Sequence, residues 1–149
     1  MTIMTSVAEN VSAVLHDNWS LSDPLKTSIE WGVKRVDVIT WLKTSGKTYA
    51  IACYSPGLTA EKVIASNWWR VDETVTVDLC IKVSPLNIND MLAKRTAMRN
   101  EILRIIHDKQ NSITDVQFAY PVREPVQVEA ENMLRLTILV NCVYFHKKT

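Results

Sequence analysis

Between residues 74 and 83 apolar and polar positions alternate without a break. Val75, Val77, Leu79, Ile81 and Val83 fall on one side; Thr74, Thr76, Asp78, Cys80 and Lys82 fall on the other. Successive strand side chains point to opposite faces, so the pattern predicts a long strand with a core behind it and water or a partner in front. Val71 carries the register back toward "SNWWR", where Trp68, Trp69 and Arg70 stand together. Near the C-terminus, "MLRLTILVNCVYFH" places Leu134, Leu136, Ile138, Val140, Cys142 and Tyr144 on one face. Leu139, Val143 and Phe145 make the second face apolar too, which predicts a strand that is central or covered on both sides.

Helical spacing appears twice. Ser6 and Glu9 have capping-box spacing, and Val7, Val11, Val14 and Leu15 share one helical face. Pro24 disfavours helical geometry at Asp23, so a helix is predicted over about residues 5 to 18. In "PLNINDMLAKRTAMRNEILRIIHDKQN", Met91, Met98, Ile102, Ile105 and Ile106 form the apolar stripe of a longer helix. Asn87 or Asn89 is its cap, and Asp90 suits the positive end of its dipole. At 1.5 Å per residue this helix is roughly 30 Å long, comparable with the strands it would cover.

"VDVITWLKTSGKTYAIACY" reads as a hairpin. Val36 and Val38 oppose Ile39 and Trp41; after a turn at "TSGK", Tyr49, Ile51 and Cys53 alternate with Ala50 and Ala52. "SPGLTAEK" reads as a loop because of Pro56-Gly57. "ITDVQFAY" leads into an extended loop at 120–133, stiffened by two prolines and suited to reaching a neighbour, and then into the last strand. The expected architecture is a single α+β domain over 1–149: a mostly antiparallel sheet with the N-terminal helix and one long helix packed on one face.

Composition narrows the function classes. Lys and Arg total 17 against 16 Asp and Glu, a net charge of +1. That is not the basic excess of a dedicated nucleic-acid or membrane binder. The N-terminal "MTIMTSVAEN" predicts no signal peptide, and no apolar run reaches membrane-spanning length. Cys53, Cys80 and Cys142 are widely spaced and odd in number, which suits a reducing compartment.

Candidate chemistry is thin. "SGKT" (45–48) imitates the end of a phosphate-binding loop, but Trp41 stands where that loop needs glycine and a strand follows instead of a helix. A Cys/His nucleophile would have to be assembled in space, since His16, His107 and His146 lie far in sequence from the three cysteines. No Cys or His spacing suits zinc, and Asp72, Glu73 and Asp78 form no recognisable acid/base pair. No catalytic residue, cofactor or metal is expected. The interface candidates are Trp68, Trp69 and Arg70, with Arg95 and Arg99 on the long helix and Arg123 in the loop. Tryptophan and arginine are the residues enriched where binding energy concentrates. Arg95, Arg99 and Arg104 read as a solvated face or as intermolecular salt-bridge donors. Trp68, Trp69 and Arg70, with Lys82, would also suit a sheet that stacks nucleic-acid bases.

The order of elements resembles the tail terminator (tail completion) proteins of tailed bacteriophages and related archaeal viruses and proviruses. The resemblance is carried by "SVAENVSAVL", the hairpin around "VDVITW", "ETVTVDLCIKV", "NDMLAKRTAMRNEILRIIHD" and "LRLTILVNCVYF". It is architectural and transfers no residue by identity. It implies a non-enzymatic virion protein, made in the host cytoplasm, that forms a ring, typically hexameric, at the head-proximal end of the tail. Its implied partners are other copies of itself, the tail tube protein, the head–tail connector protein and DNA passing without sequence specificity; no membrane is implied. A head–tail connector, a tail tube-associated protein and a small nucleic-acid-binding module are the alternatives.

Overall fold

Ser6 caps the first helix: its Oγ accepts the Glu9 N–H at 3.1 Å, and α1 runs Val7–Asp17. The structure is a computed structural model that describes residues 6–32, 46–55, 59–122, 126–130 and 132–147. A 3-10 turn at Lys26–Ser28 leads into β1 (Ile29–Gly32), followed by β2 (Tyr49–Tyr54), β3 (Thr59–Ala65) and β4 (Trp68–Lys82). The long helix α2 is Ile88–Asp108, and β5 (Phe118–Pro121), β6 (Val126–Ala130) and β7 (Met133–Lys147) complete the order. Fold class is α+β as expected: one mostly antiparallel sheet, in which, among the described residues, only β1 pairs in parallel, onto β2.

The sheet is built on one long ribbon. β4 and β7 pair antiparallel from Trp68↔Lys147 to Lys82↔Met133 with no register shift. Each flank of the ribbon is made of two shorter strands laid end to end. β2 covers Thr76 to Ile81 of β4 and β3 covers Trp68 to Glu73; β5 covers Val140 to Val143 of β7 and β6 covers Met133 to Thr137. Asn67 and Asn132 close the β3–β4 and β6–β7 hairpins at φ 66° and 65°, a left-handed conformation that asparagine tolerates better than most residues.

Both helices lie on the face defined by the odd positions of β4 and the even positions of β7. Val75, Val77, Leu79 and Ile81 join Leu134, Leu136, Ile138 and Val140 in one core with Val11 and Leu15 of α1 and Met98, Ile102, Ile105 and Ile106 of α2. The expected stripe of α2 is therefore observed, with Met91 half-buried at its start. The segment that follows α1 is latched to α2 where Glu101 accepts from Ser20 N at 3.2 Å and Ser20 Oγ at 2.9 Å and pairs with Arg104. Burial opposes the charge on Glu101, but the Arg104 and Ser20 hydrogen bonds outweigh it and hold the carboxyl below its ordinary value.

Several expectations need correction. "SPGLTAEK" is a loop only in part, since Thr59–Lys62 opens β3; this strand is exposed on both faces from Ala60 onward, so it needs no apolar alternation to betray it. The segment 120–133 is not one extended loop, because β6 lies within it. The second face of β4 is not open along its length: Thr76, Asp78 and Cys80 are buried. The proposed first arm of the 36–53 hairpin, with Trp41, and also Arg123, lie outside the described residues.

Candidate interaction surface

Length alone leaves part of the ribbon uncovered. Fifteen strand residues at ~3.3 Å extend about 50 Å, whereas the 21 residues of α2 at ~1.5 Å extend about 32 Å. The helix is therefore not the equal of the strand, contrary to expectation. The excess emerges at the β3–β4 turn, where β3, the start of β4 and the end of β7 form a three-stranded tip.

Strand parity divides the tip residues. Trp68, Arg70, Phe145 and Lys147 share the face away from the helices, joined by Lys62 opposite Arg70 and by Phe118 opposite Val143. Trp69, on the helix-facing side, stands opposite His146 and Val63. The adjacent tryptophans thus never form one unit. Trp68 is 41% exposed and Phe145 44%, while Val63 and Ile64 each exceed half exposure. Exposed apolar side chains on both faces of the tip, with charged neighbours, mark an interaction site more readily than ordinary surface. Lys147 Nζ sits 5.8 Å from the Trp68 ring centroid, a cation–π contact, and Arg70 pairs with Asp72 at 3.2 Å.

Beside the tip, β7 runs past its neighbour. β5 ends its pairing at Val143, so Tyr144–Lys147 have β4 on one side and no paired strand on the other among the described residues. A groove of about 490 Å³ flanks this free edge, lined by Trp68, Asp115, Val116, Gln117 and Tyr144–Lys147.

Farther along the same far face, the ribbon is closed by polar chemistry. The fully buried Asp78 carboxylate accepts from Tyr54 Oη at 2.7 Å, Arg135 Nη2 at 2.8 Å and Thr137 Oγ1 at 2.7 Å. These bonds replace the water that a buried charge loses, and they account for an acid at a position read as open surface. Ala50, Cys80 and Met133 pack beside it as a second, small apolar cluster. Between cluster and tip, Asn141 Nδ2 bridges Asp72 at 3.2 Å and Tyr120 Oη at 3.0 Å.

The arginine candidates divide. Arg95 is buried, which removes it from the exposed set; its place on the inward side of α2 beside Met98 and Ile102 is the reason. Arg99 is half-buried and donates to Asn100 at 3.0 Å. Arg104 is exposed and bound within its own chain, to Glu101 and to Asp108 at 3.0 Å. Of the described candidates only Trp68 and Arg70 share a face, with Trp69 on the other, and Phe145 and Lys147 join that pair without having been singled out. Strand pairing across the ribbon is what brings these two in, and sequence separation hides it.

Catalytic chemistry finds little support in the thiols. Cys53, Cys80 and Cys142 are buried, and burial pushes each thiol up to about 12, the opposite of an activated nucleophile. Among the described residues no group of three or more His, Cys, Asp or Glu could hold a metal ion, and no helix is long and apolar enough to cross a membrane. Neither a scan against protein-family models nor a search of curated proteins finds a match for this chain.

Proposed function

We propose that the chain is a structural virion protein, a ring-forming tail terminator that caps the tail tube and joins tail to head. The observation that carries this reading is the uncovered tip: exposed apolar and aromatic side chains beside strand edges that no described strand pairs, on a domain whose thiols are buried and un-ionised. Such a surface suits protein contact. The element order that resembles tail terminators is consistent with it. In this reading the partners are other copies, the tail tube protein and the head–tail connector protein, with DNA threading the ring without sequence readout. A connector or tail tube-associated station uses the same surface. Light scattering with negative-stain imaging tests the proposal: it expects a closed ring, typically a hexamer, that binds the end of tail tubes. A chain that stays monomeric and leaves tubes uncapped contradicts it.

One observation favours a second reading. Trp68, Phe145, Arg70, Lys62 and Lys147 share one sheet face, an aromatic and basic platform of the kind that stacks single-stranded nucleic acid. This reading expects salt-dependent binding of a single-stranded oligonucleotide, lost in Trp68→Ala and retained in Trp69→Ala, whose ring is on the opposite face. Equal binding by both variants, or none by the native chain, rejects it.

A further inference from the structure

The tip has two open edges, one on each side of the same three strands. β3 forms one side, with no strand pairing its outer edge among the described residues, and the overhang Tyr144–Lys147 of β7 forms the other. Their hydrogen-bonding phase follows from the bonds that flank them. Gln117 N donates to Val143 O at 2.8 Å and Val122 N donates to Leu139 O at 3.0 Å, so odd positions of β7 turn their backbone groups away from β4. Phe145 and Lys147 therefore present N–H and C=O to the open side. On the other flank, Lys82 N donates to Thr48 O at 3.0 Å, so even positions of β4 turn toward the β2–β3 side. Lys62, opposite Arg70, then bonds inward, and Glu61 and Val63 point outward.

We infer that copies of this chain join edge to edge, β7 of one copy pairing in parallel with β3 of the next. This rests on the ring reading above. β3 and β7 run parallel within one tip, because each is antiparallel to β4, so a rotation that carries one copy to the next preserves direction. The phases agree as well. In a parallel pair a residue bonding outward sits opposite one bonding inward, which sets Phe145 against Lys62 of the neighbouring copy with both on the far face. The pairing places a lysine beside an aromatic ring, a complementary match. The groove beside Tyr144–Lys147 gives the incoming strand its space. Because the two edges differ, the contact is heterologous and closes into a ring when the rotation completes a circle. It also removes the exposed edges that a lone subunit leaves open.

A chain carrying both Lys62→Cys and Phe145→Cys tests this under mild oxidation. Both positions are exposed, the three native cysteines are buried, and within one chain the two sites lie two strand spacings apart, about 10 Å, beyond disulfide reach. Any bond is therefore intermolecular. The expected result is a ladder of covalent multimers ending at the ring, with each single variant alone giving no ladder and Lys62→Cys paired with Asn111→Cys giving only the background of random collision. A ring by light scattering whose cysteines do not link overturns the edge pairing and leaves the ring reading standing. A monomer without links overturns the edge pairing, and one that also leaves tubes uncapped overturns the ring reading with it. Rapid homodimers from either single variant overturn the parallel arrangement in favour of a two-fold contact.

Discussion

The middle of the β4–β7 ribbon and its tip are made of the same two strands in the same unbroken register, yet they are opposite environments. In the middle, helices bury Leu79 and Leu136 on one side, and on the other Asp78 is enclosed by its bonds to Tyr54, Arg135 and Thr137. At the tip, Phe145 and Trp68 keep two-fifths or more of their surface in water. Alternation alone does not decide burial. It decides which residues share a face, and the reach of the covering elements decides which part of that face is dry.

The largest effect belongs to the middle. Leu136→Ala deletes a fully buried side chain facing α2 and should cost about 2–5 kcal/mol in denaturant unfolding. A loss below 1 kcal/mol, of the kind expected at the tip, would erase the contrast between the regions. Asp78→Ala comes next, at about 3 kcal/mol, because Tyr54 and Thr137 lose their acceptor and Arg135 loses its carboxylate while retaining access to water. Asp78→Asn should recover part of that stability, which separates lost hydrogen bonding from lost packing.

A pH effect follows from the thiols, all of which lie outside the tip. Unfolded thiols ionise near pH ~8.5, whereas burial pushes the folded ones up to about 12. The folded pKa is raised, so this contribution is complete below the unfolded value and declines as pH rises toward 12. Thermal melts from pH 7 to 10 should show stability falling above about 8.5, and alkylation at pH 8 should be slow until denaturant is added. Fast labelling of one thiol in the native chain would contradict this and point to an activated nucleophile. The smallest stability effect is Phe145→Ala, below ~1 kcal/mol for the isolated subunit, because the residue is already 44% exposed.

What could be read in advance follows the same division. β4, β7, α1 and α2 were legible because each has one face in the main core, and periodicity records a buried face. β3 was not, since a strand exposed on both faces leaves no alternation, and Glu61-Lys62 after Pro56-Gly57 looks like a loop. The burial of Asp78 depends on Tyr54, Arg135 and Thr137, which are 24, 57 and 59 residues distant, so no local pattern announces it. Phe145 and Lys147 reach Trp68 and Arg70 only through cross-strand pairing. The separation of Trp68 from Trp69 was legible in principle: two consecutive strand residues face opposite ways, once β4 is known to begin at Trp68.

The central claim is that the tip is where copies meet, and mass measures it most directly. Light scattering should compare the native chain with Phe145→Lys, which sets a second lysine against Lys62 of the neighbouring copy, at the same concentration and each alongside its melting temperature at high dilution. The account predicts a closed oligomer for the native chain and a folded monomer, melting as the diluted native chain does, for the variant. Equal masses for the two, whether both oligomeric or both monomeric, would contradict it.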